Sequence, residues 1–516
     1  MNAERWNNLK ELLLVTAAIT AIHIALALRG LPLPHGDCGA YVEPALLLAS
    51  DGKLAGPATQ HQDLLYRYGF YSYPPGFFVL LSGWIRLFGP GATSLLLYTH
   101  VVHSLLMVLL WALLRFRLRV SRLATALAVL SLFPVFNHGR PDVTALLLGV
   151  TAWLLLPWKR GLVRLLAAAF LLGCAVSVSP AYGISSAVAV GTYQFCAPDQ
   201  SLRERFLRTG CLASLAITTL SIILFGIIWW QSAWELAWTM WKNHVAIRGR
   251  ELNTMPALAS AYEIRFTLLP FVLLTLAPLA AALVYSLRRP SQRATLLVPS
   301  ICFLAGAVVW LLSNKAVFLL GGHFAYLARP VFQGCLASAY STWLRRLGLL
   351  TLAAFLLVHC YYHRAMFVLL CTGEDLHVPE DVCEFHLEAD QVLAVDSQYF
   401  TSVYRPGKTI TYEVYASLNR WERYRDMSPG VTRMFVGDLV SAQPLDPDIV
   451  ILSRMSLNEY GPPNKSRYEL VSGDDNIVPV RILGMKTGVI ANPLGAVVYY
   501  RIAPMPDAVR ESVSCR

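Results

Sequence analysis

"HGDCGAYVEPALLLASDG", residues 35–52, directly follows the first long apolar run of the chain. Asp37 stands where that run ends, and an apolar stretch that contains Glu43 and Pro44 resumes at once. A simple loop would be polar throughout, and a simple membrane span would not place two acids so close to lipid. The stretch therefore predicts a segment at the boundary between a membrane and water, provided that the rest of the chain belongs to a membrane protein.

The composition indicates such a protein. The chain has 516 residues, of which 56% are hydrophobic and only 15% charged, and its mean hydropathy is +0.50. Soluble domains carry about 25% charged residues. Apolar runs of about 20 residues recur from residue 11 to residue 370, as in a polytopic α-helical membrane protein. The net charge of +11 does not indicate nucleic-acid binding, because the basic residues cluster in short loops between apolar runs.

Eleven apolar segments are predicted to span the membrane, which places the two chain ends on opposite sides. Basic residues concentrate in alternate connections, and cytoplasmic loops carry this excess, so the N-terminus is predicted to be cytoplasmic. The protein is accordingly expected in the inner or plasma membrane of the cell. The basic connections are Arg115–Arg122, Lys159–Arg164, Arg203–Arg208, Arg288–Arg293 and Arg345–Arg346. The predicted spans are residues 11–28, 94–114, 121–136, 142–157, 163–179, 183–197, 210–230, 266–286, 295–313, 324–343 and 347–370.

The chain divides into a membrane domain, residues 1–370, and a C-terminal domain, residues 371–516. In the second domain, short apolar runs such as "QVLAVDS", "DIVILS", "VPVRIL" and "AVVYYRI" alternate with Pro, Gly and Asp turns. This pattern predicts a small mixed α/β domain, long enough for its own core, on the extracytoplasmic side.

The first outer loop, residues 29–93, is predicted to lie on the membrane surface. "GFFVLLSGWIRLFG" (76–89) is too short for a comfortable span, follows Pro74 and Pro75, and fits an interfacial or re-entrant helix. "YVEPALLLASDG" (41–52) predicts a second such helix that ends at Gly52. A loop of this kind suits a substrate with an apolar tail and a polar head.

Asp37 allows two interpretations. As a structural residue it would cap the following helix by accepting a backbone N–H. As a functional residue it would be a general base, or a carboxylate that stabilises positive charge, at the membrane surface.

Two further outer segments carry charged residues. "NHGRPD" (137–142) places His138 and Arg140 beside Asp142, which also suits the positive end of a helix. "NKAVFLLGGHFAYLARP" (314–330) contains His323 and, inside an apolar run, Arg329. An arginine in such a run snorkels, is paired, or meets water or phosphate.

With these residues in view, the chain resembles the GT-C superfamily of membrane glycosyltransferases. It is most similar to the branch of the protein O-mannosyltransferases and lipid A aminoarabinose transferases. The resemblance is carried by the acid after the first span (Asp37), by "YPPGFFVLLSGWIRLFGPG" (73–91), by the Arg140–Asp142 element and by the outer domain at the end. The chain departs from the family where Cys38, and not a second acid, follows Asp37, and where Tyr73, and not lysine, precedes the prolines.

The resemblance implies transfer of a sugar from a polyprenyl phosphate to an acceptor on the outer face, with inversion at the anomeric carbon. Such a reaction needs a carboxylate that takes the proton of the acceptor hydroxyl and cations that hold the leaving phosphate. The expected catalytic carboxylates are Asp37 and, as the alternative, Asp142. The expected phosphate-binding residues are Arg140, His323, Arg329 and Arg67.

Other functions stay open on the sequence alone. A polysaccharide ligase or polymerase that uses a lipid-diphosphate donor would concentrate its bases in one large outer loop between late spans. A secondary transporter would carry ionisable residues in mid-span and an inverted repeat, which we do not find.

No resident cofactor is predicted. The ten cysteines show no metal-ligand pairing such as CxxC, and no ligand cluster is legible, so a divalent cation stays open as a cofactor. The expected partners are the polyprenyl-phosphate sugar donor, a lipid, glycan or protein acceptor, and membrane lipid, with no role for nucleic acid.

The predicted topology can be tested with reporter fusions. A reporter that is active only outside the cytoplasm should be active when fused after residue 372 and silent after residue 205. The reverse pattern would overturn the orientation.

Overall fold

A computed structural model describes most of the apolar part of the chain and the strands of the C-terminal part. Thirteen α-helices and seven β-strands lie within the described ranges. These ranges are residues 3–31, 38–54, 75–132, 140–156, 161–196, 200–235, 237–238, 269–289, 293–312, 327–362, 392–395, 409–411, 448–453, 463, 465–473, 477–482, 485–491 and 496–502.

The helices follow the predicted order, and each predicted span contains one. Two further helices, α2 and α3, occupy the two stretches of the first loop for which surface helices were predicted. The bounds are α1 Ala3–Leu28, α2 Cys38–Ser50, α3 Gly76–Phe88, α4 Ala92–Ala112, α5 Arg122–Leu130, α6 Asp142–Leu155, α7 Leu162–Val178, α8 Pro180–Phe195, α9 Leu202–Trp230, α10 Leu269–Arg288, α11 Val298–Leu312, α12 Ala328–Ala337 and α13 Thr342–Tyr362. π-helical turns extend α4 over Leu113–Arg117 and precede α11 over Arg293–Leu297.

The predicted tenth span, residues 324–343, differs from the structure. α12 ends at Ala337, and residues 338–341 form a turn before α13 begins at Thr342. Gly348 of α13 lies against the backbone of Ala337, so closely that a Cβ there would overlap it. The absence of a side chain at Gly348 therefore lets α13 turn back tightly on the end of α12.

Three of the described helices are long and apolar enough to cross a membrane, by length and composition: Arg5–Leu28, Ala92–Arg117 and Leu202–Trp230. The exposed side chains of α9 indicate the surroundings of these long helices. Ile217, Ile222, Phe225 and Trp229 are exposed, and Leu212 is the residue of α9 that is buried. An apolar helix that exposes most of its large side chains is suited to contact with lipid and not with water.

Two close contacts bring α3, α7 and α8 together at one end of the helical layer. α7 ends at Val178 and α8 begins at Pro180, a residue that suits the first turn of a helix because its missing N–H needs no partner there. Gly183 of α8 lies against the backbone of Ala175, and Gly76 at the start of α3 lies against Ser177. A Cβ at either glycine would overlap its neighbour, so both contacts require glycine.

The described strands of the C-terminal part form a mixed sheet with the order β2-β1-β3-β7-β4 and a separate antiparallel pair, β5-β6. β1 runs parallel to β2 and β3, whereas β7 runs antiparallel to β3 and β4. The strands are β1 Val392–Val395, β2 Thr409–Thr411, β3 Ile449–Ser453, β4 Tyr468–Gly473, β5 Ile477–Ile482, β6 Met485–Ala491 and β7 Ala496–Arg501.

The central strand β3 buries both of its faces. Ile449 and Ile451 pack on one side, and Val450 and Leu452 on the other. A strand that is buried on both faces has a continuous apolar sequence, as "IVIL" shows. The four apolar runs quoted above for this part of the chain coincide with β1, β3, β5 and β7. The helical component of the predicted α/β domain lies outside the described residues.

The Gly183 contact yields a matched test. Gly183→Ala should lower the free energy of unfolding by about 1–3 kcal/mol, because a Cβ overpacks the contact with α7. Gly210→Ala is the control, because no atom lies within 4 Å of the position that a Cβ would take at this helical glycine of α9. The control should be neutral or stabilising by up to about 1 kcal/mol. Equal thermal stability of the two variants in detergent would contradict the described packing.

Candidate active site

A largely buried ion pair lies at the start of α6. Arg140 Nε donates to Asp142 Oδ2 at 2.9 Å, and Ser179 Oγ donates to Asp142 Oδ1 at 3.1 Å. The exposed fraction of the side chain is 11% for Asp142 and 21% for Arg140. Asp142 also lies in the first turn of α6, where the helix dipole favours a negative charge. One carboxylate thus ties Arg140 to the junction of α7 and α8.

Tyr182 is the residue on which a larger set of charged groups acts. Its buried side chain interacts electrostatically with Asp142, Arg140 and Arg329. These residues come from the start of α6, the first turn of α8 and the start of α12. The structure therefore brings together three of the residues predicted from separate stretches of sequence, Arg140, Asp142 and Arg329, around a tyrosine that was not predicted.

Arg329 is a buried cation, with 4% of the residue exposed. Its guanidinium carbon lies 4.4 Å from the centroid of the Phe355 ring, and Nη2 donates to the carbonyl of Ser131 over 3.5 Å. An aromatic face attracts a cation within about 6 Å, more strongly when both are removed from water. Phe355 and Ser131 thus hold the guanidinium of Arg329 at the C-terminal end of α5 and near the N-terminal end of α12.

Aromatic side chains of the first loop form one wall beside the ion pair. The guanidinium carbon of Arg140 lies 5.8 Å from the centroid of Tyr41, and the Tyr41 ring meets Phe77 edge to face. Phe77 in turn contacts Tyr98, whose hydroxyl shares a 2.9 Å hydrogen bond with Thr144. The quoted stretch 35–52 therefore packs against the charged cluster through α2.

Glu43, two residues beyond Tyr41 in α2, is also a buried carboxylate, with 3% of the residue exposed.

Three of the predicted site residues, Asp37, Arg67 and His323, lie outside the described residues. α2 begins at Cys38, directly after Asp37. The roles assigned to these three residues stay predictions.

Ser179 and Tyr182 were not predicted as site residues from the sequence. The turn between the predicted fifth and sixth spans lies on the same side of the membrane as "NHGRPD" in the predicted topology. Their position on the same side of the membrane was a signal that could have identified them, because polar residues in two turns on one side of the membrane can come into contact. Ser179 and Tyr182 look like ordinary turn and helix residues in isolation.

The described residues contain no group of three His, Cys, Asp or Glu side chains arranged to hold a metal ion. The cluster offers instead two guanidinium groups, one carboxylate that already binds one of them, and a phenol. Guanidinium groups bind phosphate and carboxylate oxygens through paired hydrogen bonds. The arrangement is suited to an anionic group at the ends of the helices.

A double-mutant cycle tests the ion pair. For Arg140→Gln and Asp142→Asn, the coupling in free energy of unfolding should exceed about 1 kcal/mol, because removing one partner of a buried pair leaves a buried charge. The matched control is the pair Glu204–Arg208 on α9, whose carboxylate side chain is 35% exposed and whose N–O distance is 3.4 Å, and which should give about 0.3–0.5 kcal/mol. Equal coupling in the two cycles would contradict the burial of the Arg140–Asp142 pair.

Comparison with known proteins gives few matches. No protein-family model matches the chain, and no curated protein does. Among solved structures the chain is similar to ArnT from Cupriavidus metallidurans bound to undecaprenyl phosphate, with 14% sequence identity and a TM-score of 0.45. That match covers 94% of this chain and 97% of the ArnT chain.

The same ArnT in the apo state is similar with 14% identity and a TM-score of 0.42, over 95% of this chain and 98% of that chain. Similarity at TM-scores below 0.5 does not assign an activity to this chain.

Proposed function

We propose that the protein is a multi-pass membrane glycosyltransferase that moves a sugar from a polyprenyl-phosphate donor to an acceptor at the outer membrane surface. The observation that carries the proposal is the presence of two guanidinium groups, Arg140 and Arg329, whose charges both act on the buried side chain of Tyr182. A buried arginine such as Arg329 is costly among apolar helices and marks a site for an anionic group. A polyprenyl phosphate combines the two features that this place suits, an anionic head and an apolar chain.

The two arginines are proposed to bind the donor phosphate. Arg140 and Arg329 come from different helices, so they can approach a phosphate from two directions and neutralise the charge that develops as the glycosidic bond breaks. His323 and Arg67 are proposed as additional phosphate ligands. The aromatic wall of Tyr41 and Phe77 is proposed to contact the sugar or the first carbons of the lipid.

The proposed base is Asp37. Asp142 accepts hydrogen bonds on both of its oxygens, from Arg140 and from Ser179, and this geometry suits a residue that orients Arg140. Asp37 directly precedes α2, the helix that carries Tyr41 to the ion pair. We therefore assign proton removal to Asp37 and positioning to Asp142, with Asp142 as the alternative base.

The proposed reaction is a single displacement. The acceptor hydroxyl oxygen forms a bond to the anomeric carbon while the bond from that carbon to the phosphate oxygen breaks. The carboxylate of Asp37 takes the hydroxyl proton, and the lipid phosphate leaves with the bonding electrons. Attack from the side opposite the phosphate inverts the anomeric centre. A phosphate is a good leaving group when cations hold it, so the scheme needs no general acid.

The proposed base can be tested by Asp37→Asn. Asparagine caps a helix about as well as aspartate but cannot take the proton. Transfer of labelled sugar from the lipid carrier in liposomes should fall by about 10²-fold or more, at unchanged thermal stability. Substantial activity at wild-type stability would remove Asp37 from the mechanism and transfer the role to Asp142.

The proposed phosphate ligand can be tested by Arg329→Gln. The loss of a hydrogen-bonded charge should weaken donor binding by about 10-fold or more, because such a bond contributes about 1.5–3 kcal/mol. Arg208→Gln on α9 is the control and should leave binding unchanged. The assay should include a lipid-diphosphate sugar beside the monophosphate, since efficient use of the diphosphate alone would identify a ligase or polymerase instead.

A further inference from the structure

The C-terminal end of α9 exposes four tryptophans. Trp229 is 86% exposed and Trp230 57%, and just beyond the helix Trp234 is 58% and Trp238 49% exposed. Tryptophan is large and mainly apolar, and soluble proteins rarely leave large apolar groups together in contact with water. The four tryptophans therefore mark a surface that contacts something other than bulk water.

The chain turns back on itself directly after α9. The N–H of Ser232 donates to the carbonyl of Trp229 at 3.0 Å, and Ser232 has the positive φ of 52° that is typical of this kind of helix end. Beyond the turn, the ring of Trp234 lies against the ring of Phe225, with centroids 5.5 Å apart. The turn thus holds the indole of Trp234 beside the last turns of α9.

The spacing of charge and tryptophan along α9 matches the thickness of a membrane. The first turns carry Arg203, Arg205 and Arg208, and no charged residue follows in the sequence until Glu235. From Arg208 to Trp229 the helix rises by about 32 Å, at about 1.5 Å per residue. The hydrocarbon core of a bilayer is about 30 Å thick. With its basic end at one surface, α9 therefore places Trp229 where the hydrocarbon ends at the other.

Glu235 limits how deep this end can lie. It is exposed, and it stands in the sequence between Trp234 and Trp238. A carboxylate is costly in hydrocarbon, so this part of the chain must reach water. Tryptophan prefers the same boundary, because its indole combines an apolar ring with an N–H that takes a polar partner. The interface between hydrocarbon and headgroups suits both residue types.

Gln231, the residue that follows α9, ties a second part of the chain to this end. Its Nε2 donates to the carbonyl of Gly52 at 2.9 Å, and its Oε1 accepts from the N–H of Leu54 at 3.2 Å. One amide thus uses both of its polar atoms on the short segment directly after α2. The end of α2 is therefore held at the level of the tryptophans.

Helix α3 also holds the end of α2. Arg86 donates from Nη2 to the carbonyl of Leu48 at 2.9 Å and from Nε to the carbonyl of Ala49 at 3.2 Å. These carbonyls belong to the last turn of α2, where partners within the helix are missing. The next residues of α3, Leu87 and Phe88, are exposed apolar side chains. Both elements that hold the end of α2 thus expose apolar groups, as expected of helices that meet a membrane surface.

We propose that Trp229, Trp230, Trp234 and Trp238 anchor the C-terminal end of α9 in the interface of the bilayer, and that Gln231 fastens the end of α2 to this anchor. The partner is the boundary between lipid chains and headgroups. The tryptophans continue the exposed apolar surface of α9, which favours lipid over a partner protein. The inference does not depend on the proposed function, because it concerns how α2 is held at the membrane.

The anchor can be tested on the full chain labelled with fluorotryptophan in lipid nanodiscs. Replacing each tryptophan by phenylalanine in turn removes one ¹⁹F signal from the nuclear magnetic resonance spectrum and so assigns it. The signals of the four tryptophans should be broadened most by a nitroxide lipid labelled near the headgroup, and less by one labelled at the end of the acyl chain. Trp153, buried in the helical core, is the control and should respond least.

Three results would overturn the anchor. Stronger broadening by the label at the end of the acyl chain would place the tryptophans inside the hydrocarbon. Broadening by a water-soluble relaxation agent alone would place them in water. Protection from all three agents would show that protein, either a partner or a second copy of the chain, covers them.

The link to α2 can be tested with Gln231→Leu, which removes both hydrogen bonds and keeps the approximate size of the side chain. The amide of Leu54 should exchange with deuterium about 10-fold faster or more, because it loses its acceptor and its segment loses a second hydrogen bond. Thr218→Val is the control, since the hydroxyl of Thr218 donates to Ser214 within α9, and it should leave this exchange unchanged. Unchanged exchange in Gln231→Leu would refute the link, and the depth of the wild-type tryptophans decides the anchor even if a variant does not fold.

Discussion

The contact between Arg140, Asp142 and Ser179 is the constraint on which the candidate site depends. It joins the start of α6 to the junction of α7 and α8 through one carboxylate, among helices that share a large apolar core. Buried ion pairs of this kind add little net stability, but breaking one leaves an uncompensated charge. The pair therefore fixes the position of the Arg140 guanidinium. Because Arg140 and Asp142 both act on Tyr182, the pair also orders the charged groups around that tyrosine.

Close backbone contacts make this cluster possible. Gly76 and Gly183 let α3 and α8 approach the end of α7, so Ser179 and Tyr182 reach the start of α6. Arg329 arrives from a distant part of the sequence, at the start of the short helix α12, and is held over Phe355. The charged groups of the cluster thus lie at the starts of helices, whereas α9 exposes apolar side chains along its length.

Much of the helical pattern was accessible from the sequence, because apolar runs and Pro or Gly punctuation depend on local residues. The helices around Glu43 and after Pro75 and the strand "IVIL" are examples. Arg140, Asp142 and Arg329 could be selected because charge is conspicuous beside apolar runs. Ser179 and Tyr182 could not, since a serine at a turn and a tyrosine in a helix are common everywhere. The contacts of His23 on α1 with His100 and His103 on α4 could not be selected either, because only the packing of the two helices determines which residues meet.

The most direct test of the account is to measure the binding of polyprenyl phosphate to the purified chain by native mass spectrometry. Wild-type protein should retain one molecule of the lipid phosphate, and a variant with both Arg140→Gln and Arg329→Gln should bind about 10²-fold more weakly or worse, since each lost charged hydrogen bond contributes about 1.5–3 kcal/mol. Unchanged binding in a variant that keeps its fold would contradict the assignment of this cluster to the donor phosphate.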